Sequence, residues 1–507
     1  MIKKWIGAML LCAVVWLLPG CGPAPGEDLP GDAEHPDETP APLEDDTVRV
    51  AYYPNETVNP VLSRSRINTT FLPLCYEGLF ELTPDLSCQP ALCESYTVSG
   101  TEFIFTIKSG VTFWSGQPLT AEDVRYTLEL AWKDETSIYK ERLQEVSSIE
   151  ALDDRRVRVT LQRENAEFYK RLNIPVFRAG TETEEFSEGT GPYRPEKRED
   201  GYVLTPFSGW HKGTAGVFPE IVLTDIMSYD LVPYSFETGG LSIALTERIG
   251  VTSASVTGAL EIYPVKTTDL HYLGVNTAKE PLQNSAVRRA ISLSIDRQSI
   301  CAAQLQGFAD PVVFPEAEPQ ESTVQNAGQA IQVLRSGGFE DRNGDGVVEY
   351  ETAGGRRQDL ELAAIVNGDN TFKVQALQQI QENFSEIGIR LTIESLSFEE
   401  FQEAIETGTY DLYYGETFLT ADFDLGPLVE QGGALNYSGY TGLEAYIAEY
   451  RADPAAKDAY RTAFLEEMPM IPLALERWQV IARQGLAKGI CPAPDNIFYD
   501  IENWSRE

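Results

Sequence analysis

The sequence predicts an α/β fold in two lobes, and three observations carry that reading. About 460 residues follow the N-terminal segments, more than one simple hydrophobic core usually organises. Strand and hairpin patterns dominate as far as about residue 270. From about 271 to 470, strand patterns alternate with helix patterns, the arrangement that builds a parallel sheet.

The chain opens with Lys3 and Lys4, then an apolar run from Trp5 to Leu18. That run is shorter than the roughly 20 residues a spanning helix needs, and it suits the core of a signal peptide. Leu18-Pro19-Gly20-Cys21 resembles the bacterial lipobox, so residues 1–20 are expected to be removed and Cys21 to carry a diacylglycerol lipid. Residues 22–47 contain six prolines and nine acids but no Lys or Arg. Such a segment cannot bury enough apolar surface to offset ordering entropy, and with Cys21 it reads as an extended acidic tether over 21–47.

Charge narrows the partners of the remaining body. The chain carries −38, which becomes −40 once Lys3 and Lys4 leave. Nine of those charges lie in the tether, so the body holds about −31. Coulombic repulsion then excludes nucleic acid and anionic lipid as partners, leaving the lipid anchor as the expected membrane contact. Five cysteines remain there, Cys75, Cys88, Cys93, Cys301 and Cys491, an odd number that cannot all pair. Cys88 and Cys93 suit either a short-loop disulfide or free buried thiols.

TVRVAY (47–52) alternates like a strand and opens the body, and EFIFTI (102–107) alternates again. Ser109-Gly110 predicts a hairpin into Val111-Thr112-Phe113. Thr120 with Asp123 forms a capping-box pattern ahead of Val124, Leu128, Ala131 and Trp132 at helical spacing. A second helix is expected from Asn284 or Ser285, carrying Arg288 and Arg289 as surface charges. The clearest βαβ unit has a strand at 360–366, a helix capped by Thr371 and ended by Gly388, and a strand at 389–393. A helix through Phe398, Phe401 and Ile405 leads to a further strand, YDLYYG (410–415).

Five phrases in this order are similar to one family. QPALCESYTVSGTEFIFTIKSGVTFWSGQPLTAEDV (89–124), GTGPY (189–193), LGVNTAKEPLQNSAVRRAISLSIDRQSI (273–300), GGFEDRNGDG (337–346) and MPMIPL (468–473) resemble the family 5 extracytoplasmic solute-binding proteins of ABC importers, the oligopeptide- and dipeptide-binding group. Departures are Cys93 where Ala is usual, Ser115 where an acid is usual, and Asn284 where Asp is frequent. The resemblance implies a two-lobed periplasmic-binding-protein type II (Venus flytrap) fold with an extra subdomain in the first lobe. It implies lobe I at 48–270 with a subdomain at about 61–175, lobe II at 271–470, and a return to lobe I at 471–507. The implied function is capture of a small solute, foremost a short peptide, and delivery to the permease subunits of an ABC transporter by a monomeric lipoprotein. A sensor of the same fold, or a receptor for a nickel chelate or oligosaccharide, is the alternative.

In peptide-binding relatives a loop aspartate pairs with the peptide ammonium. Asp422 best matches it, with Asp424 and Glu416 as neighbours and Tyr413 as a candidate cleft residue. Asp341, Asn343 and Asp345, with Gly346, match the opening of a calcium loop, but Thr352 stands where that loop needs a bidentate Glu. A tight turn is the simpler expectation, and no cofactor is expected. Tyr193 and Asn276 read as architectural, Trp114 and Trp210 as core. No His-Glu-x-x-His, Gly-x-Ser-x-Gly or P-loop pattern occurs, so the reading is a binding protein and no enzyme.

Overall fold

The computed structural model describes residues 47–251, 256–318, 320 and 324–506. The signal segment, Cys21 and all but the last residue of the tether lie outside the described residues. Among the described residues no helix is long and apolar enough to cross a membrane.

The first half is built on strands. β1 (Val48–Tyr52) is followed by the short helix α1 (Arg66–Phe71) and then by β2 (Cys93–Ser99) and β3 (Glu102–Ile107). Helix α2 (Ala121–Lys133) leads to β4 (Val146–Ala151) and β5 (Arg156–Leu161). Strands β2–β5 form an antiparallel sheet in the order β2-β3-β5-β4. The hairpin partner of β3 is therefore β2, through Gly100-Thr101, and not 111–113; Thr112 makes only an isolated bridge to Pro118. The capping box forms as read, Thr120 N–H donating to Asp123 Oδ2 at 2.9 Å.

Next come β6 (Tyr193–Arg198), β7 (Gly201–Pro206), β8 (Ile221–Asp225) and β9 (Ile243–Thr246). β1 joins β8 in parallel, completing a sheet ordered β1-β8-β7-β6. The glycines of GTGPY have a packing reason. A Cβ on Gly189 would sit 2.1 Å from the Cys75 carbonyl oxygen, and one on Gly191 2.5 Å from the Cys75 carbonyl carbon.

The sixteen-residue strand β10 (Leu260–Val275) opens the second half. After it come α3 (Ser285–Ser294), the short β11 (Ala309–Pro311), β12 (Glu361–Asn367), α4 (Thr371–Glu386), β13 (Arg390–Leu396), α5 (Phe398–Glu406) and β14 (Leu412–Phe418). Helices α6 (Glu444–Ala452) and α7 (Lys457–Glu467) precede the fourteen-residue β15 (Met470–Arg483). The βαβ unit forms as expected, with β12 and β13 parallel. Its helix is capped by Asn370 and not by Thr371, because the Asn370 side chain accepts from Phe372 and Lys373 N–H at 3.1 and 3.2 Å. Arg288 is also corrected: it is buried under α7, donating to the carbonyls of Leu282, Gln283, Glu467 and Met468. A guanidinium with five donors suits a cluster of helix-end carbonyls.

Seven strands make one sheet, ordered β9-β15-β10-β14-β12-β13 with β11 on β15. It serves two separate cores. One draws its buried residues from 48–265 and 480–504, the other from Ile249 and 270–475. The change of core falls within β10 and within β15, so these two antiparallel strands run from one core into the other. All five cysteines outside the N-terminal segments are free thiols.

Phe384 is fully buried in the second core. Phe384→Ala is expected to cost about 3–5 kcal/mol in urea unfolding, whereas Phe398→Ala, on an exposed side chain, is expected to change stability by less than about 0.5 kcal/mol.

Candidate functional site

Where the two cores meet, strands β10, β14 and β15 form one wall of a 560 Å³ cavity. That volume lies within the range of small-molecule sites. Around it stand Arg66, Trp210, Asp269, Glu416, Phe418 and Trp478.

Arg66 is the first residue of α1, whose Ser65 cap accepts from Asn68 N–H at 3.2 Å. Its Nη1 donates to Glu247 Oε2 at 2.6 Å, and its guanidinium lies 4.2 Å from the Trp478 ring centroid and 4.7 Å from that of Tyr229. These contacts fix the plane of the group. The remaining edge, Nε and Nη2, is buried and has no hydrogen-bond partner among the described residues, and neither do Nε1 of Trp210 or Nε1 of Trp478. Fixed, unpartnered donors beside a cavity suit an anionic or carbonyl group of a solute, above all a carboxylate gripped by the guanidinium edge.

Acidic groups complete the wall. Glu416 pairs with Lys373, and its neighbour across the strands is His271. Burial opposes the charged form of Glu416, but Lys373 and His271 hold its carboxyl below the usual glutamate range. Burial lowers the His271 imidazole and raises the Asp269 carboxyl well above its ordinary value. Burial, reinforced by Glu247 and Glu416, pushes Glu476 up to about 9.

Of the residues singled out from the sequence, Glu416 reaches this cavity. Tyr413 is packed in the second core among Tyr272, Tyr410 and Tyr437, its hydroxyl 3.2 Å from that of Tyr272. Asp422 lies on a second cavity, of 340 Å³, together with Glu167, Lys170, Tyr450 and Lys457. Its Oδ2 accepts from Arg171 Nε at 2.8 Å, while its Oδ1 has no partner among the described residues. Asp424 accepts from Arg171 Nη2 and from Arg451 Nη2, each at 2.7 Å. Arg171 also meets Glu145, and Arg451 meets Glu430, which Arg163 bridges back to Glu145. Residues 145–171 pack with the first core and 422–451 with the second, so this buried network ties the two together.

Asp341, Asn343 and Asp345 form a self-capped turn. Asp341 accepts from Gly344 and Gly346 N–H at 2.7 and 3.1 Å, Asn343 from Asp345 N–H at 2.8 Å, and Asp345 from Val347 N–H at 2.9 Å. These bonds build the tight turn expected from the sequence. Tyr193 and Asn276 bond backbone carbonyls, at Phe218 and at Gly408 and Tyr410. Trp210 is buried as read, yet it also edges the cavity. Sequence reasoning missed Arg66, Arg171, Asp269, His271, Glu476 and Trp478. The one local signal was the Asp-x-His spacing in TTDLHYLG (267–274), which puts both side chains on one strand face.

The junction network yields two predictions. Arg171→Met leaves Asp422 and Asp424 short of a cation in a dry interface and is expected to cost about 3–5 kcal/mol in thermal or urea unfolding. Burial alone would raise Asp424, but Arg171 and Arg451 outweigh it and hold the carboxyl at about 2. A depressed acid stabilises the fold fully above its unfolded pKa of about 3.9, and loses that contribution as pH falls towards 2. Melting temperature is therefore expected to fall between those two pH values more steeply in the wild type than in Asp424→Asn.

Comparison with known proteins agrees with this architecture. A family model described as bacterial extracellular solute-binding proteins, family 5, matches residues 87–430. The glutathione-binding protein GsiB of Salmonella paratyphi A is 24% identical, covering 87% of this chain and 91% of its own length. Among solved structures, the oligopeptide-binding protein AppA of Bacillus subtilis, in complex with a nonapeptide, superposes with a TM-score of 0.60 at 20% identity, over 91% of this chain and 99% of that one. NikZ of Campylobacter jejuni, in complex with Ni(L-His), gives 0.63 at 20% identity over the same shares. The fold is thus the two-lobed type II periplasmic-binding architecture, and the chain belongs to family 5 of the bacterial extracellular solute-binding proteins.

Proposed function

We propose that this protein is the receptor of an ABC import system, which encloses a short peptide in the 560 Å³ cavity and passes it chemically unchanged to a membrane permease. The observation that carries this reading is the cavity-lining Arg66, whose guanidinium is clamped by Glu247 and Trp478 and keeps one buried edge without a partner among the described residues. A carboxylate of the solute, such as a peptide C-terminus, docks on that edge. Trp210, Trp478 and Phe418 supply apolar walls, and Glu416 supplies the anionic counterpart for an ammonium group. Relatives that bind glutathione and an oligopeptide support a peptide ligand. One that binds Ni(L-His) makes a nickel chelate the competitor to be tested.

Two lobes, divided where β10 and β15 pass between cores, close on the solute and present a composite surface to the permease. Cys21 carries the diacylglycerol anchor, and the acidic tether gives a monomeric receptor the reach to dock. The first lobe comprises 48–270 and 471–507, the second 271–470.

Thermal-shift and native mass-spectrometric screens of a peptide pool, glutathione, nickel–histidine and oligosaccharides test the ligand. A peptide is expected to raise the melting temperature, and Arg66→Met to weaken it at least tenfold, about 1.4 kcal/mol, with circular dichroism unchanged. A shift with nickel–histidine or an oligosaccharide, and none with peptides, would overturn the assignment.

A further inference from the structure

Three adjacent strands bring an unusual set of side chains to one point behind the cavity wall. Asp269 and His271 are two residues apart on β10 and share a face. Glu476 approaches from β15 on one side, and Tyr414 and Glu416 from β14 on the other, with Glu416 directly across from His271. One donor atom from each of Asp269, His271 and Glu476 lies within 4.8 Å of the others. The three residues are only 2%, 1% and 1% exposed.

Their hydrogen bonds are incomplete in a telling way. His271 Nδ1 lies 3.1 Å from the Tyr414 hydroxyl, which leaves Nε2 turned to the acids, 3.1 Å from Glu476 Oε2 and 3.9 Å from Glu416 Oε2. Oδ1 of Asp269 and Oε1 of Glu476 have no partner among the described residues. The nearby cations are engaged elsewhere, Lys373 with Glu416 and Arg66 with Glu247. Buried carboxylate oxygens without donors are costly, and native structures seldom keep them uncompensated. The register of β10 against β15 also shifts here, between Lys266 and Leu270 and again between His271 and Tyr272, and Asp269 falls within the first shift.

We propose that Asp269, His271 and Glu476 form a binding site for a divalent first-row transition ion. One imidazole nitrogen with two or three carboxylate oxygens suits Mn, Fe, Co, Ni or Zn, whereas calcium and magnesium take oxygen alone. His271 binds through Nε2, and Tyr414 fixes the tautomer from the far side of the ring, the usual arrangement around a metal-bound histidine. An ion here joins β10 to β15 at the shift in their register and compensates the two unpartnered oxygens. The site is separate from the Asp341 turn and does not rest on the transport reading.

The test uses the full chain, stripped with EDTA and free of added solute. Calorimetric titration with Zn(II), and absorption spectroscopy with Co(II), are expected to give one equivalent and the ligand-field bands of a mixed nitrogen–oxygen site. Asp269→Asn and Glu476→Gln are each expected to weaken binding at least about tenfold, as does Tyr414→Phe through the imidazole, while Asp341→Asn leaves it unchanged. The wild-type Co(II) spectrum decides the matter even where a variant fails to fold. No stoichiometric metal would overturn the proposal. So would binding indifferent to Asp269 and Glu476, loss on Asp341→Asn, or a cluster that responds to a solute ammonium and to no metal.

Discussion

Everything in this molecule is arranged around two long strands that belong to both cores. β10 and β15 start beside one hydrophobic cluster and end beside the other, hydrogen-bonded to each other along most of the way. A strand cannot be cut from either core without disrupting the sheet that serves the second. The lobes are therefore tied through continuous backbone, and the register of β10 against β15 shifts between Lys266 and Leu270 and again between His271 and Tyr272. The cavity lies against this stretch, with Asp269 in its lining.

Buried charge is distributed unevenly along the junction. On one side, Arg163, Arg171 and Arg451 meet Asp422, Asp424, Glu145 and Glu430, three cations against four acids. Desolvation takes back most of what such pairs gain, so the network adds little net stability but fixes how the lobes approach each other. On the other side, Asp269, Glu476 and Glu416 crowd around one histidine and one lysine. Burial there favours the neutral forms of Asp269 and Glu476. Arginines thus stand where the two cores are tied together, while beside the cavity wall Asp269 Oδ1 and Glu476 Oε1 have no partner among the described residues.

Local rules in the sequence foretold the local structure well. The βαβ unit at 361–396, the capping box at Thr120 and the helix start at Asn284 each depend on residues within one or two turns of one another. Errors came where another partner intervened. The strand at 102–107 pairs back to 93–99 across the tight turn at Gly100, whose φ is positive, and Arg288 turns inward because α7 brings its last carbonyls there. The candidate acids were read from one loop, but Arg171 reaches Asp422 across 251 residues. Glu416 could be found because it follows a recognisable strand. Arg66 could not, since nothing near it in the chain announces Trp478 or Glu247.

The sequence by itself determined the class of fold, the division of the chain into an earlier strand-rich part and a later α/β part, and the family. Those properties follow from periodicity, from capping residues and from motifs that are contiguous in the chain. Tertiary structure alone decided which carboxylates are locked in ion pairs and which stand unpartnered, and which guanidinium edge is left beside the cavity. The reason is physical: a side chain's role is set by burial and by partners within a few ångströms, and here those partners come from strands and loops that are far apart in the chain.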